Sequence, residues 1–214
     1  MQSFPIPPRF ARAIPLAAIL LVLVMPAIGC TPSEPADAPD SADAPAAMID
    51  SALPIPELLA RFRTATADTP TALAGGATSP ELLARTLLTA LAARDTAAVR
   101  ALVMSRGEFA WLYYPDSKFT APPYELGPDL VWIPLVAASD KGAGRLLARY
   151  GGRPLRLDAL TCPDSATIEG RNTILGGCTV RFAVGDSSAR DLRLFSSLLS
   201  RDGRYKFLSY ANDL

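Results

Sequence analysis

A change of hydrophobic period near residue 153 constrains this chain more than any other feature. Before it, apolar side chains recur at helical spacing: Leu82, Leu83, Leu87, Ala90 and Leu91 share one face, and Val99, Leu102 and Val103 share another. After it, they alternate. Arg156 and Asp158 separate Leu155, Leu157 and Ala159, while Thr179, Arg181 and Ala183 separate Cys178, Val180, Phe182 and Val184. A period of two is that of a strand with one buried face. Leu192, Leu194 and Leu198 continue the pattern, Tyr205, Phe207 and Ser209 close it, and Asp202-Gly203 between the last two runs reads as a hairpin turn. Helices first and strands second predict an α+β domain, with N-terminal helices packed on a C-terminal antiparallel, curved, cone-like β-meander.

Local signals place the helices. Ser79, Pro80 and Glu81 read as an N-cap, a first-turn proline and an acid at the positive end of the helix dipole. Asp95 is placed to cap a second helix, and a third helical stretch is expected over Glu108 to Tyr114. Beyond the Pro122-Pro123 loop, a helical region from Pro128 to Tyr150 is expected to break near Pro134 and the Gly142, Gly144 pair. The domain so defined spans residues 79–214.

Residues 30–78 are expected to be a flexible Pro/Ala/Asp-rich tether. Glu34, Asp37, Asp40, Asp43 and Asp50 stand among prolines and alanines with no apolar periodicity, so the segment cannot bury enough surface to offset its chain entropy. A short helix is expected near residues 54–63, with Leu58, Leu59 and Phe62 on one side, followed by a second flexible link over residues 64–78.

At the N-terminus, Arg9 and Arg12 precede an apolar run from Ala13 to Ile28, the layout of a signal peptide over residues 1–29. The run is short against the ~20 residues of a bilayer-spanning helix. It ends in Ala27, Ile28, Gly29 and Cys30, which resembles the lipobox of bacterial lipoproteins. The resemblance implies cleavage after Gly29 and a diacylglycerol thioether on Cys30, whose new N-terminus is acylated as well. The partner it implies is membrane lipid, and the place is the cell envelope. Thr31, where an aspartate would favour inner-membrane retention, directs the expectation to the outer membrane, facing the periplasm.

Two cysteines remain, Cys162 and Cys178, and an even pair in an exported domain reads most simply as a disulfide. The chain has no histidine, which excludes Ser-His-Asp and Cys-His nucleophile systems and His-ligated metal sites. No metal and no cofactor is expected, since phosphate-loop, dinucleotide-binding and EF-hand patterns are all missing from the sequence. Acidic and basic residues balance at 21 each. Arg145, Arg149, Arg153 and Arg156 form a basic stretch, read either as a surface for phosphate headgroups or as a solvated helix face. No aromatic interleaving points to nucleic acid.

The helix from Leu87 to Arg94, the Arg94-Asp95 turn, the helix from Val99 to Val103 and the long strand region after them resemble the nuclear transport factor two-like, or cystatin-cone, superfamily over residues 79–214. That resemblance implies a pocket between helices and a concave sheet, used by isomerases and dehydratases with an aspartate base and tyrosine donors, and by many non-catalytic binding modules. The candidate pocket residues are Trp111, Tyr113, Tyr114, Tyr124 and Trp132, with Asp116 as the carboxylate. The competing reading makes Trp111 and Trp132 core residues and Asp116 an exposed turn residue beside Lys118, and so not a general base. With no complete catalytic constellation, the leading expectation is a non-enzymatic binding or accessory module for a protein or small apolar ligand. A pocket enzyme of isomerase or lyase type is the alternative.

Overall fold

The computed structural model describes residues 53–214; the expected signal peptide, Cys30 and the expected tether up to residue 52 lie outside the described residues. The architecture is α+β, with helices followed by antiparallel strands in two sheets.

Among the described residues five α-helices lead: α1 (Ile55–Thr64), α2 (Pro80–Ala92), α3 (Thr96–Ala101), α4 (Arg106–Glu108) and α5 (Pro128–Tyr150). The Ser79 side chain caps α2 by accepting from the Leu82 N–H, and Asp95 caps α3 by accepting from the Ala98 N–H. A capping box between Ser105 and Glu108 opens α4, which continues as a π-helical turn over Phe109–Tyr113 and a short 3-10 turn over Tyr114–Asp116. The wider π turn lets Phe109, Ala110, Leu112 and Tyr113 all be buried, where a regular helix would turn part of that run outward.

Two expectations need correction. Residues 65–78 are not a flexible link, and the folded unit begins before residue 79. Leu73 and Ala77 are buried, Ala77 exchanges both backbone hydrogen bonds with Tyr205 (3.0 and 2.8 Å), and the Ala74 N–H donates to Glu108 Oε1 at 2.7 Å. Single apolar residues in a Thr/Ala/Gly stretch have no period, so only their distant partners make them structural. Second, α5 is continuous through Pro134, Gly142 and Gly144. Pro134 has no N–H to offer the Leu130 carbonyl, and both residues are exposed. Gly142 is where the C-terminal tail crosses the helix: any Cβ there would collide with the Tyr210 carbonyl.

The strands are β1 (Leu155–Thr161), β2 (Ala166–Glu169), β3 (Asn172–Gly176), β4 (Thr179–Val184), β5 (Arg190–Leu192), β6 (Ser197–Arg201) and β7 (Arg204–Phe207). One sheet has the order β1-β4-β5 and the other β2-β3-β6-β7. The strand region is therefore not one continuous meander, because the β2-β3 hairpin leaves the first sheet and pairs in the second. The Cys162–Cys178 disulfide closes the neck of that excursion, directly beyond the Thr161 and Thr179 pair that ends the β1-β4 ladder. At the β6-β7 turn, Asp202 and Gly203 both adopt positive φ (51° and 73°), as a type I′ hairpin requires.

The second sheet lies between two cores. Leu198 and Phe207 face the first, with Leu83, Leu87 and Leu91 of α2 and Val180 and Phe182 of β4. Leu199, one residue on, faces the second, with Phe62, Phe109 and Tyr114, while Ile174 packs at its edge. Two charges cross the second core: Lys206 Nζ reaches both Glu108 oxygens at 3.0 and 2.7 Å, with both side chains buried.

Candidate functional site

Between the N-terminal half of α5 and the β2-β3 hairpin lies a cleft of about 430 Å³. Leu130, Val131, Pro134 and Leu135 of α5 form one wall, and Ile174 of β3 with Leu208 forms the other. Phe119 and Leu126 close one side. Thr167 and Glu169 alternate along β2, so both face the cleft, whereas Ile168 between them points to solvent at 75 % exposure. Ser197 of β6, half-buried, also lines it, and Lys118 sits on the exposed rim.

Polar chemistry in this cleft centres on Glu169 and Tyr113. Glu169 is 8 % exposed, and its Oε2 is buried without a hydrogen-bond partner among the described residues. Tyr113, carried by the π turn, is buried, and its phenol is pushed well above the ordinary tyrosine range by desolvation and further by the negative charge of Glu169. The phenol is thus held as a neutral hydrogen-bonding group. Burying a carboxylate oxygen unpaired is costly, and few proteins leave one without a reason.

Of the five candidate pocket residues, Tyr113 alone lines this cleft. Tyr114 is fully buried, its OH donating to the Leu126 carbonyl at 2.6 Å. Trp111 packs at the edge of the second core under the Arg63 guanidinium, 4.0 Å from its ring. Trp132 packs on Phe109, ring centroids 5.1 Å apart, and faces a second cleft of about 390 Å³ on the far side of α5. Tyr124 is exposed and rests on Phe119. The tyrosines and tryptophans therefore do not converge on one site.

Asp116 is only 32 % exposed, and its cationic partner is Arg201 at 3.1 Å instead of the neighbouring Lys118. Arg201 Nη1 also donates to the Leu112 carbonyl and Asn172 Oδ1, tying the π turn to the hairpin. Asp116 is a structural ion-pair partner outside the cleft, with no tyrosine among its hydrogen-bond partners. The basic stretch is dispersed too: Arg145 donates to the Asn212 carbonyl, Arg149 lies against Tyr150, and Arg156 pairs with Asp158.

Glu169 is the residue that sequence reasoning missed. It precedes Gly170, a hairpin-turn glycine, and an acid beside a turn reads as exposed; only its period-two partnership with Thr167 hinted at a shared face. Among the described residues no group of three potential His, Cys, Asp or Glu ligands could hold a metal, and no helix is long and apolar enough to cross a membrane. Fold and cleft together describe an α+β domain in which a ligand-sized, mostly aliphatic groove lies beside a buried carboxylate. No protein family, curated protein or solved structure matches the chain.

Proposed function

We propose that this chain is a membrane-anchored envelope lipoprotein whose folded part binds a small apolar ligand without transforming it. One observation carries the binding reading: the cleft beside α5 is walled mainly by leucine, valine, proline and isoleucine and has a volume in the range used for small ligands. Support for the anchor comes from the sequence alone, from the charged start, the short apolar run and the lipobox-like end at Cys30. The resemblance to the cystatin-cone superfamily adds the expectation of a pocket between helices and sheet.

A pocket enzyme of isomerase or lyase type is the second reading. It is favoured by Glu169 and Tyr113 lining the same cleft, since a carboxylate and a neutral phenol are the base and donor that proton transfer beside a carbonyl uses.

The test is saturation-transfer NMR on the full chain with octan-1-ol. Binding is expected for the wild type and is expected to weaken about ten-fold or more in Thr167→Trp, which fills the groove from an exposed strand position. Absence of transfer to octan-1-ol overturns the reading. Octan-2-one in heavy water separates the two functions: it should acquire no deuterium next to its carbonyl, and exchange that is catalysed by the wild type and lost in Glu169→Gln would replace binding with catalysis.

A further inference from the structure

Resting on the binding reading, we infer that the ligand of this cleft is a single-chain amphiphile with an ammonium head, which Glu169 receives while the aliphatic walls take the tail. Two independent features converge on this class. The walls select an apolar body, because Leu130, Val131, Leu135 and Ile174 offer no hydrogen-bonding side chain. The carboxylate selects the head. Glu169 is more than nine-tenths buried, lines the groove, and has an oxygen that no donor of the described fold reaches.

The neighbouring cations do not fill that role. Arg201, on the same sheet, directs its Nη1 to Asp116, Asn172 and the Leu112 carbonyl, and its Nε lies 3.9 Å from Asp202 Oδ2. Arg171, next to the hairpin turn, makes a two-pronged bond to Asp202 at 2.8 Å on each oxygen. Lys118 stands on the exposed rim, its Nζ 5.5 and 5.6 Å from the Phe119 and Tyr124 rings, and pairs with no acid of the described residues within 4.0 Å. A ligand ammonium meeting Glu169 from the groove supplies the counter-charge that the described residues do not, and charge-assisted bonds are stronger than neutral ones, the more so away from water. Tyr113, kept neutral, lines the same groove as a second polar contact for the head.

The experiment compares octylamine, octan-1-ol and octanoate, equal in chain length, by saturation-transfer titration on the full chain at neutral pH. Octylamine is expected to bind about ten-fold or more tightly than octan-1-ol, the size of one charge-assisted hydrogen bond. In Glu169→Gln that preference should vanish, octylamine then binding no more tightly than octan-1-ol. Equal binding of amine and alcohol by the unaltered chain overturns this inference while leaving the apolar-cleft reading intact, as does a preference for octanoate, which would assign the head to Lys118. Binding of none of the three overturns both. Because the probe series on the wild type decides the matter, misfolding of the variant would not rescue the proposal.

Discussion

Glu108 and Lys206 are the most deeply buried acid and base of the described fold. Each carboxylate oxygen of Glu108 receives two donors, Oε1 from Ala74 N–H and Lys206 and Oε2 from Ser105 N–H and Lys206. A buried pair satisfied in this way is costly to break from one side, because the surviving charge stays in a low-dielectric interior. Glu108→Gln is therefore expected to lower the unfolding free energy in urea by about 3–5 kcal/mol. The double variant Glu108→Gln/Lys206→Met should lose less than the single one, since it leaves no stranded charge and keeps an amide oxygen for a backbone donor. A cost of the single variant below about 1 kcal/mol, the range of an exposed pair, would contradict the burial argument. At this scale the sequence was a poor guide. Glu108 was legible as part of a helical stretch, but its partner lies 98 residues away, and Asp116 took Arg201, 85 residues away, in preference to Lys118.

Among the elements, the β2-β3 hairpin decides most. It departs from the first sheet after β1, pairs in the second, and brings Thr167, Glu169 and Ile174 to the cleft. Its neck is closed by the disulfide between Cys162 and Cys178, 16 residues apart. Replacing both cysteines by serine is expected to lower stability by about 3 kcal/mol through loop-closure entropy. The rest of the domain should stay folded, because its two cores draw on α1, α2, α3, α5 and the other strands. Hydrogen exchange resolves the effect by element: the amides of β2 and β3 should lose protection before those of β4 and β6, and uniform loss across both sheets would show that the bridge braces the whole domain. The bridge was readable as an even cysteine pair, whereas the hairpin was not. Its pattern is short and its middle residue Ile168 faces solvent, so apolar alternation does not mark it.

For the molecule as a whole, the folded unit and its proposed anchor make separable demands. A thioether-linked diacylglycerol contributes about 0.8 kcal/mol per buried methylene, whereas a cleaved or short signal holds poorly. Cys30→Ala is expected to leave the chain unprocessed or lost from the membrane fraction, read by fractionation and by the mass of the N-terminal peptide, with octan-1-ol binding unchanged. Normal processing and full membrane retention in that variant would refute the anchor without touching the cleft.

By itself the sequence determined what local chemistry determines. The switch from helical to alternating period divides helices from strands, Ser79 and Asp95 cap where they were expected, and Asp202-Gly203 makes its hairpin because positive φ is a property of the turn residues themselves. Tertiary structure alone decided which strands are neighbours, that α5 runs unbroken past Pro134, that residues 65–78 join the fold through Leu73 and Ala77, and that Glu169 is buried facing a cleft. Period and turn chemistry act over a few residues and are written in each segment, while burial and ion pairing depend on groups brought together from far apart along the chain.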